Sequence, residues 1–285
     1  MTRLALLALA FLATSTLADA QALDGRLKKI AASKTIAIAH RTDAMPFSYL
    51  DENRQPVGYT IDLCKRVASL IEARVNVKDI RIKWVPVTSQ GRFDAVAKGE
   101  ADMECGSSTV TLERLKQVDF SSFTFVDGTG VLVNRASGIR SMADVAGKRI
   151  AVVAGTTNER VVTEIDKRRT LGIRIVAMKS REEAFAALEE GKVDGFASDK
   201  LLLLGSAVGA KDPKALSMLP EDLSFEPYAI ALPRGDAGMR LAVNAALAGI
   251  YRDGEIVSIF NKWFGKVGEP TPLMRAMFIF GTLPE

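Results

Sequence analysis

The chain has 285 residues, a length that suits one large domain or two medium ones, with 38 basic and 34 acidic side chains and a net charge of +4. The excess of positive charge is mild and favours anionic ligands at short range. Basic and acidic residues are interspersed, without a basic block interleaved with aromatic residues, so nucleic acid is not indicated. His40 is the only histidine, which leaves no multi-histidine zinc site and no serine–histidine triad beyond it. The sequence therefore indicates no metal and no cofactor.

The first twenty residues predict a secretory signal peptide. Met1-Thr2-Arg3 is a short positive start, LALLALAFLA is apolar, and Ala18-Asp19-Ala20 is a cleavage signal. The apolar stretch is too short for a membrane anchor, and no cysteine follows the cleavage point to carry a lipid. We therefore expect residues 1–20 to be removed and a soluble mature chain to reach the periplasm.

Residues 35–125 alternate strand and helix patterns. Helices are predicted at about 60–74 and at about 91–98, and the strands are TIAIAHR, IRIKWVPV and ADMECGS. This βαβαβ order is typical of a parallel sheet with helices on its faces.

A second unit of the same kind follows. A short helix is predicted to begin at Ser141, another contains NERVVTEI, a third follows a capping box of Ser180 and Glu183, and a fourth begins near Lys200. The strands are VLVNR, RIAVVAG, IRIVAMK and VDGFAS. Two such units predict an α/β chain with two lobes of similar size.

Two extended segments, Phe123–Val133 and Leu223–Pro233, lie between the units and predict a hinge of two crossings. The first lobe would then be discontinuous, taking back C-terminal helices at about 237–251 and 255–263, with the final tail along a lobe surface. One continuous α/β domain with a long insertion is the alternative. The predicted boundaries are 21–125 and 230–285 for lobe 1, and 126–229 for lobe 2.

The two cysteines leave the thiol state open. An exported chain can form one disulfide between Cys64 and Cys105. Cys64 lies on an apolar helix face and Cys105 in an apolar strand, so two separately buried thiols fit the pattern as well.

Arginines and hydroxyls follow several predicted strands, where small ligands bind in open α/β sheets. A guanidinium group matches two carboxylate oxygens at once, and no nucleophile, base or metal cluster accompanies these residues. The pattern favours a binder of a small anion over a catalyst. The candidate residues are Arg41, Ser89, Arg92, Ser107, Thr109, Arg114, Thr156, Thr157 and Asp199.

Three of these candidates have simpler interpretations. Arg114 could be a solvated residue at a helix start. Arg92 could form a surface pair with Asp94 or Glu100, where such pairs contribute little. Asp199 could cap the helix beginning at Lys200.

Several segments resemble the polar amino-acid-binding proteins of bacterial ABC transporters, and the resemblance covers essentially the whole mature chain. Shorter segments are similar to the glutamate/aspartate-binding branch, and they are HR at 40–41, PFSY at 46–49, VTSQGR at 87–92 and ECGS at 104–107. The family segments are GYTIDLCKRVA at 58–68, GEAD at 99–102 leading to Ser107 and Arg114, VAGK at 145–148, VAGT at 153–156, YAIAL at 228–232 and KWF at 262–264. Thr60 departs from the usual acidic residue, and Arg181 stands where the branch has a histidine.

The resemblance implies the two-lobed, hinge-closing periplasmic-binding-protein fold of type II, with a mostly parallel sheet in each lobe. It also implies a role for each candidate residue. Arg114 would hold the ligand α-carboxylate with Ser107, Thr109 and the pair Thr156 and Thr157, and Asp199 would take the α-ammonium. The side-chain carboxylate would lie against Arg41, Ser89 and Arg92.

The expected function is capture of L-glutamate and L-aspartate by a monomeric protein that delivers them to an inner-membrane ABC permease. One rival is a periplasmic dehydratase of prephenate-like dicarboxylates, for which Glu104 is the available acid. Another is a ligand-binding partner of a signalling receptor. We expect no enzymatic activity.

Overall fold

The computed structural model describes residues 23–284, so the predicted signal peptide lies outside the described residues. Two five-stranded sheets, each flanked by helices, dominate this part of the chain, and a small three-stranded sheet accompanies the first. The strands up to the first crossing are β1 (Thr35–His40), β2 (Asp43–Ala44), β3 (Ser48–Leu50), β4 (Pro56–Val57), β5 (Arg81–Pro86), β6 (Met103–Glu104) and β7 (Asp119–Asp127). The remaining strands are β8 (Thr129–Asn134), β9 (Arg149–Val153), β10 (Arg174–Met178), β11 (Gly195–Asp199), β12 (Leu216–Met218) and β13 (Glu226–Leu232).

Helices are present where the sequence predicted them except at Ser141, and two further helices begin at Gly25 and Pro272. The C-terminal helices and the tail return to the first sheet, and the last helix packs on β7 with Met274 and Phe278 buried. The α-helices are α1 (Gly25–Ser33), α2 (Tyr59–Arg74), α3 (Arg92–Ala97), α4 (Thr157–Arg169), α5 (Arg181–Glu189), α6 (Lys200–Val208), α7 (Ala237–Arg252), α8 (Glu255–Phe264) and α9 (Pro272–Gly281). Across residues 23–284, no helix is both long and apolar enough to cross a bilayer.

Both sheets are parallel apart from one strand each, which confirms the prediction of mostly parallel sheets. The first has the order β5-β1-β6-β13-β7, in which β13 runs antiparallel to its neighbours, and the second has the order β10-β9-β11-β8-β12, with β8 antiparallel. The chain leaves the first sheet after β7 and returns along β13, so the two adjacent strands form a pair of crossings. The lobe boundaries at 125/126 and 229/230 stay predictions.

Two local predictions were wrong. The segment beginning at Ser141 is a run of turns, with backbone hydrogen bonds between residues three apart, from Asp144 to Ser141 and from Lys148 to Val145. The carboxylate of Asp144 accepts from the backbone amides of Arg140 and Ser141, both at 2.9 Å. The strand expected over ADMECGS contains only β6. Before it, the Asp102 carboxylate binds the backbone N–H of Ala37 at 2.8 Å and interrupts the strand ladder.

The predicted capping box at α5 is present in a modified form. The Ser180 hydroxyl accepts from the backbone N–H of Glu183 at 3.2 Å, while the Glu183 carboxylate accepts from Lys179, one residue further back, at 2.9 Å. The helix start predicted at this point is therefore confirmed.

A disulfide joins Cys64 of α2 to Cys105 at the end of β6, with 6.4 Å between their Cα atoms. Both residues are fully buried. The thiol state that the sequence left open is thus an internal crosslink between a helix and the strand end that leads to Ser107.

Candidate functional site

Eight of the nine predicted residues converge on one small cavity where the strand ends of the two sheets face each other. Two further residues, Asn158 and Arg181, line the same space. The predicted residues that line it are Arg41, Ser89, Arg92, Ser107, Thr109, Thr156, Thr157 and Asp199. Parallel strands with their carboxyl ends at a common edge explain this convergence.

Arg114 lies in the adjoining cleft, which shares Ser89, Thr156 and Thr157 with the cavity. Its guanidinium donates to the Thr109 carbonyl at 2.8 Å and lies over the Phe93 ring, 5.0 Å from the centroid. Arg114 is therefore held beside the cavity and is not a freely solvated residue at a helix start.

Arg92 is buried and belongs to the site, not to the surface. Its guanidinium donates to the Ser89 carbonyl at 2.8 Å and lies over the Phe93 ring, 4.7 Å from the centroid. Asp94, the proposed surface partner, instead pairs with Lys98 at 2.9 Å. The surface-pair interpretation of Arg92 was wrong.

Four buried donors at one end of the cavity have no hydrogen-bond partner. They are the Nε groups of Arg41, Arg92 and Arg181 and the hydroxyl of Ser89. Buried polar groups are nearly always paired, and each unpaired donor costs about 1–3 kcal/mol. Both oxygens of the buried Glu104 carboxylate also lack a partner, and Glu104 attracts Arg41 and Arg92 without lining the cavity. A bound anion would supply the cavity's donors with acceptors, so the cavity is suited to a carboxylate.

Burial lowers the pKa of Arg41 to about 10, while Asp43, with which it forms an ion pair, opposes the shift. Burial likewise lowers the pKa of Arg92 to about 10, with repulsion from Arg114 adding to the shift. Both guanidinium groups remain charged at neutral pH. Burial raises the pKa of Glu104, against the effect of Arg92.

The cavity also has an acidic lining residue, Asp199. Asp199 makes no capping hydrogen bond to α6, and its carboxylate accepts from the Asn158 amide at 2.8 Å. Burial, reinforced by Glu226, raises the pKa of Asp199. The capping interpretation of Asp199 was wrong, and its carboxylate is available to a cation in the cavity.

Asp127 lies at the first crossing behind Asp199. Burial, with Asp199 adding to it, raises the pKa of Asp127 from 3.8 to about 7. Its carboxylate accepts from the backbone amides of Gly128 at 2.8 Å and Leu201 at 3.1 Å. The crossing therefore holds a carboxyl group that titrates near neutral pH.

Asp127→Asn is expected to flatten the pH dependence of stability. Between about pH 4 and pH 7 the folded protein keeps a proton on Asp127 that the unfolded chain has lost, so the free energy of unfolding falls as the pH rises. One pKa unit is worth about 1.4 kcal/mol. Urea unfolding at intervals from pH 4.5 to pH 8 would show a smaller fall for the variant, whereas parallel curves would contradict the assignment.

Sequence reasoning did not select Asn158 and Glu226. Asn158 directly follows the candidate residue Thr157. Glu226 stands in the hinge segment before the apolar run YAIAL, and an isolated acidic residue beside a buried strand is the signal that could have selected it. In the sequence, Arg181 stands out only as a departure from the family pattern.

Three other residues named from the sequence lie in the protein interior or against it. His40 packs edge-on against Trp84 with 5.8 Å between ring centroids, consistent with a structural role. Phe47 is fully buried in the aromatic core, and Tyr49 packs against Trp263 at 6.1 Å.

Comparison with known proteins agrees with this architecture. A sequence profile of the bacterial extracellular solute-binding proteins, family 3, matches residues 36–266. An L-glutamate/L-aspartate-binding protein of Pseudomonas aeruginosa is 37% identical over 246 residues, covering 86% of this chain and 82% of the relative. A glutamate/aspartate import solute-binding protein of Escherichia coli is 33% identical over 262 residues, covering 91% and 87%.

Solved structures of similar fold include proteins with other ligands. An ancestral arginine-binding protein bound to arginine has a TM-score of 0.74 and 30% identity, covering 81% of this chain and 99% of its own. An ancestral amino acid-binding protein, described as a precursor of cyclohexadienyl dehydratase, has a TM-score of 0.73 and 28% identity, covering 84% and 100%. The two-lobed periplasmic-binding-protein fold is thus confirmed, and the chain belongs to the bacterial extracellular solute-binding proteins of family 3.

Proposed function

We propose that this chain captures L-glutamate and L-aspartate in the periplasm and delivers them to an inner-membrane ABC permease. The observation that carries the proposal is the group of three buried guanidinium groups, Arg41, Arg92 and Arg181, whose Nε donors lack partners at one end of the cavity. The names of the similar proteins from Pseudomonas aeruginosa and Escherichia coli support the same ligands.

The ligand would lie between the two sheets with its side-chain carboxylate at the arginine end. Arg41 and Arg92 follow strands of the first sheet, while Arg181 begins α5 beside the second. A ligand that contacts both sheets favours the closed arrangement by the difference in its affinity for the closed and open forms.

The α-amino and α-carboxylate groups would lie at the opposite end. Asp199 offers an acceptor to the ammonium, and Arg114 and Ser107 offer donors to the carboxylate. Hydrogen bonds to charged groups contribute about 1.5–3 kcal/mol each. Three or four of them are enough for the roughly 8 kcal/mol of a micromolar complex once association costs are subtracted.

Two features favour an acidic ligand and binding without catalysis. A cationic side chain would meet Arg41, Arg92 and Arg181 at close range, which opposes arginine as the ligand. Glu104, the acid that a dehydratase would need, is fully buried and is not among the residues that line the cavity.

Calorimetric titration of ligand-stripped residues 21–285 tests the proposal, with glutamate, aspartate, glutamine, arginine and prephenate as ligands. One-to-one binding confined to glutamate and aspartate is the expected result. Tighter binding of glutamine or arginine, or turnover of prephenate, would overturn it.

A further inference from the structure

Glu226 begins β13 at the return crossing, and four hydroxyl groups surround its buried carboxylate. Oε2 accepts from Thr109 at 2.6 Å and from Thr157 at 2.8 Å. Oε1 accepts from Ser224 at 2.6 Å and from Thr129 at 3.3 Å. The Glu226 carboxylate at the hinge thus orients the O–H bonds of hydroxyl groups from both lobes.

The hydroxyl protons are limited in number. A threonine hydroxyl has one proton and two lone pairs, and an ionised carboxylate can only accept. Thr109 and Thr157 give their protons to Glu226, so what they present to the cavity is lone pairs. They cannot donate to a ligand carboxylate in this arrangement, which differs from the role that the resemblance implied for them.

Asp199 likewise presents a hydrogen-bond acceptor to the cavity. The amide nitrogen of Asn158 donates one hydrogen bond to the Thr129 hydroxyl and the other to the Asp199 carboxylate, both at 2.8 Å. Both amide protons are used, and Asp199 keeps acceptor capacity. Thr109, Thr157 and Asp199 therefore present three acceptors at this end of the cavity, and an ammonium group has three donors.

We propose that Glu226 is a positioning residue that turns the lone pairs of Thr109 and Thr157 towards the ligand and so makes the site select α-amino acids over the matching α-keto and α-hydroxy acids. The inference rests on the proposed function only in taking this cavity as an amino-acid site. A keto oxygen has no proton to give and would face three acceptors.

Glu226→Gln tests the inference, because the amide has the same shape but its nitrogen donates. The amide nitrogen replaces one of the two carboxylate oxygens, and where it faces Thr109 and Thr157 these hydroxyls must accept and their protons are free for other partners. Titration of glutamate, with displacement measurements for 2-oxoglutarate and 2-hydroxyglutarate, should show at least a tenfold loss of glutamate affinity. The affinity for the two analogues should stay within about threefold or rise.

Thr157→Val is the second variant, since it removes one acceptor while leaving Glu226 in place, and it should shift the same ratio in the same direction. Glu255→Gln, on the surface at α8, is the matched control and should change neither affinity. Equal losses for glutamate and its analogues in both variants, or no loss for glutamate in either, would overturn the inference.

The outcome is separable from failure of the proposed function. If the wild-type protein prefers glutamine, acidic specificity fails, and Glu226 is tested with glutamine and its own keto acid. If the wild-type protein binds no amino acid, both proposals fail.

Discussion

Arg92→Ala is expected to weaken glutamate binding about 100-fold while changing glutamine binding less than about threefold. The guanidinium is buried at the arginine end of the cavity, where only an acidic side chain supplies a charged acceptor. Loss of one hydrogen bond to a charged group is worth about 1.5–3 kcal/mol, and 100-fold corresponds to about 2.7 kcal/mol. Calorimetric titration of both ligands against the variant checks the difference.

Two control variants distinguish loss of the side-chain contact from a general loss of ligand binding. Arg114→Ala should weaken glutamate and glutamine alike, because both ligands share the α-carboxylate that Arg114 is proposed to hold. Lys98→Ala, at the exposed end of α3 where Lys98 pairs with Asp94, should change neither affinity. If Arg92→Ala weakened both ligands equally, the side-chain carboxylate would lie elsewhere.

The site residues that the sequence predicts are those that directly follow strands. Arg41, Ser89 and Thr157 were selected because each follows a strand pattern, and parallel sheets bring such residues together without any knowledge of distant contacts. Glu226 could not be found in this way. It acts on Thr109, 117 residues away, through a hydrogen bond that exists only after the chain has crossed between the sheets twice.

Local chemistry limited the remaining predictions. At Ser141 the sequence favoured a helix, but the Asp144 carboxylate instead closes a turn by accepting from the backbone amides of Arg140 and Ser141. At the cysteines the pattern indicated burial but not contact, because the pairing depends on where α2 lies over β6. Both outcomes depend on particular side-chain contacts that hydrophobic periodicity does not contain.

Replacing both cysteines, as Cys64→Ala/Cys105→Ala, is expected to lower the free energy of unfolding by about 4 kcal/mol. The sequence separation of 41 residues sets the size of the closed loop, and restricting such a loop in the unfolded chain is worth about 4 kcal/mol at 25 °C by chain entropy. Urea unfolding of the oxidised wild-type protein and the double variant measures the difference.

Reductant supplies the control, since it should destabilise the wild-type protein and leave the double variant unchanged. A loss below about 1 kcal/mol would mean that native strain or residual structure offsets the crosslink.

Saturating ligand at about 100 times Kd should restore roughly 2.7 kcal/mol to the free energy of unfolding of the double variant. This restoration requires a site that survives without the bond, and the backbone N–H of Cys105 still donates to Ala39 of β1 at 2.9 Å. The strand end leading to Ser107 therefore stays in place, and we expect ligand affinity to fall much less than stability.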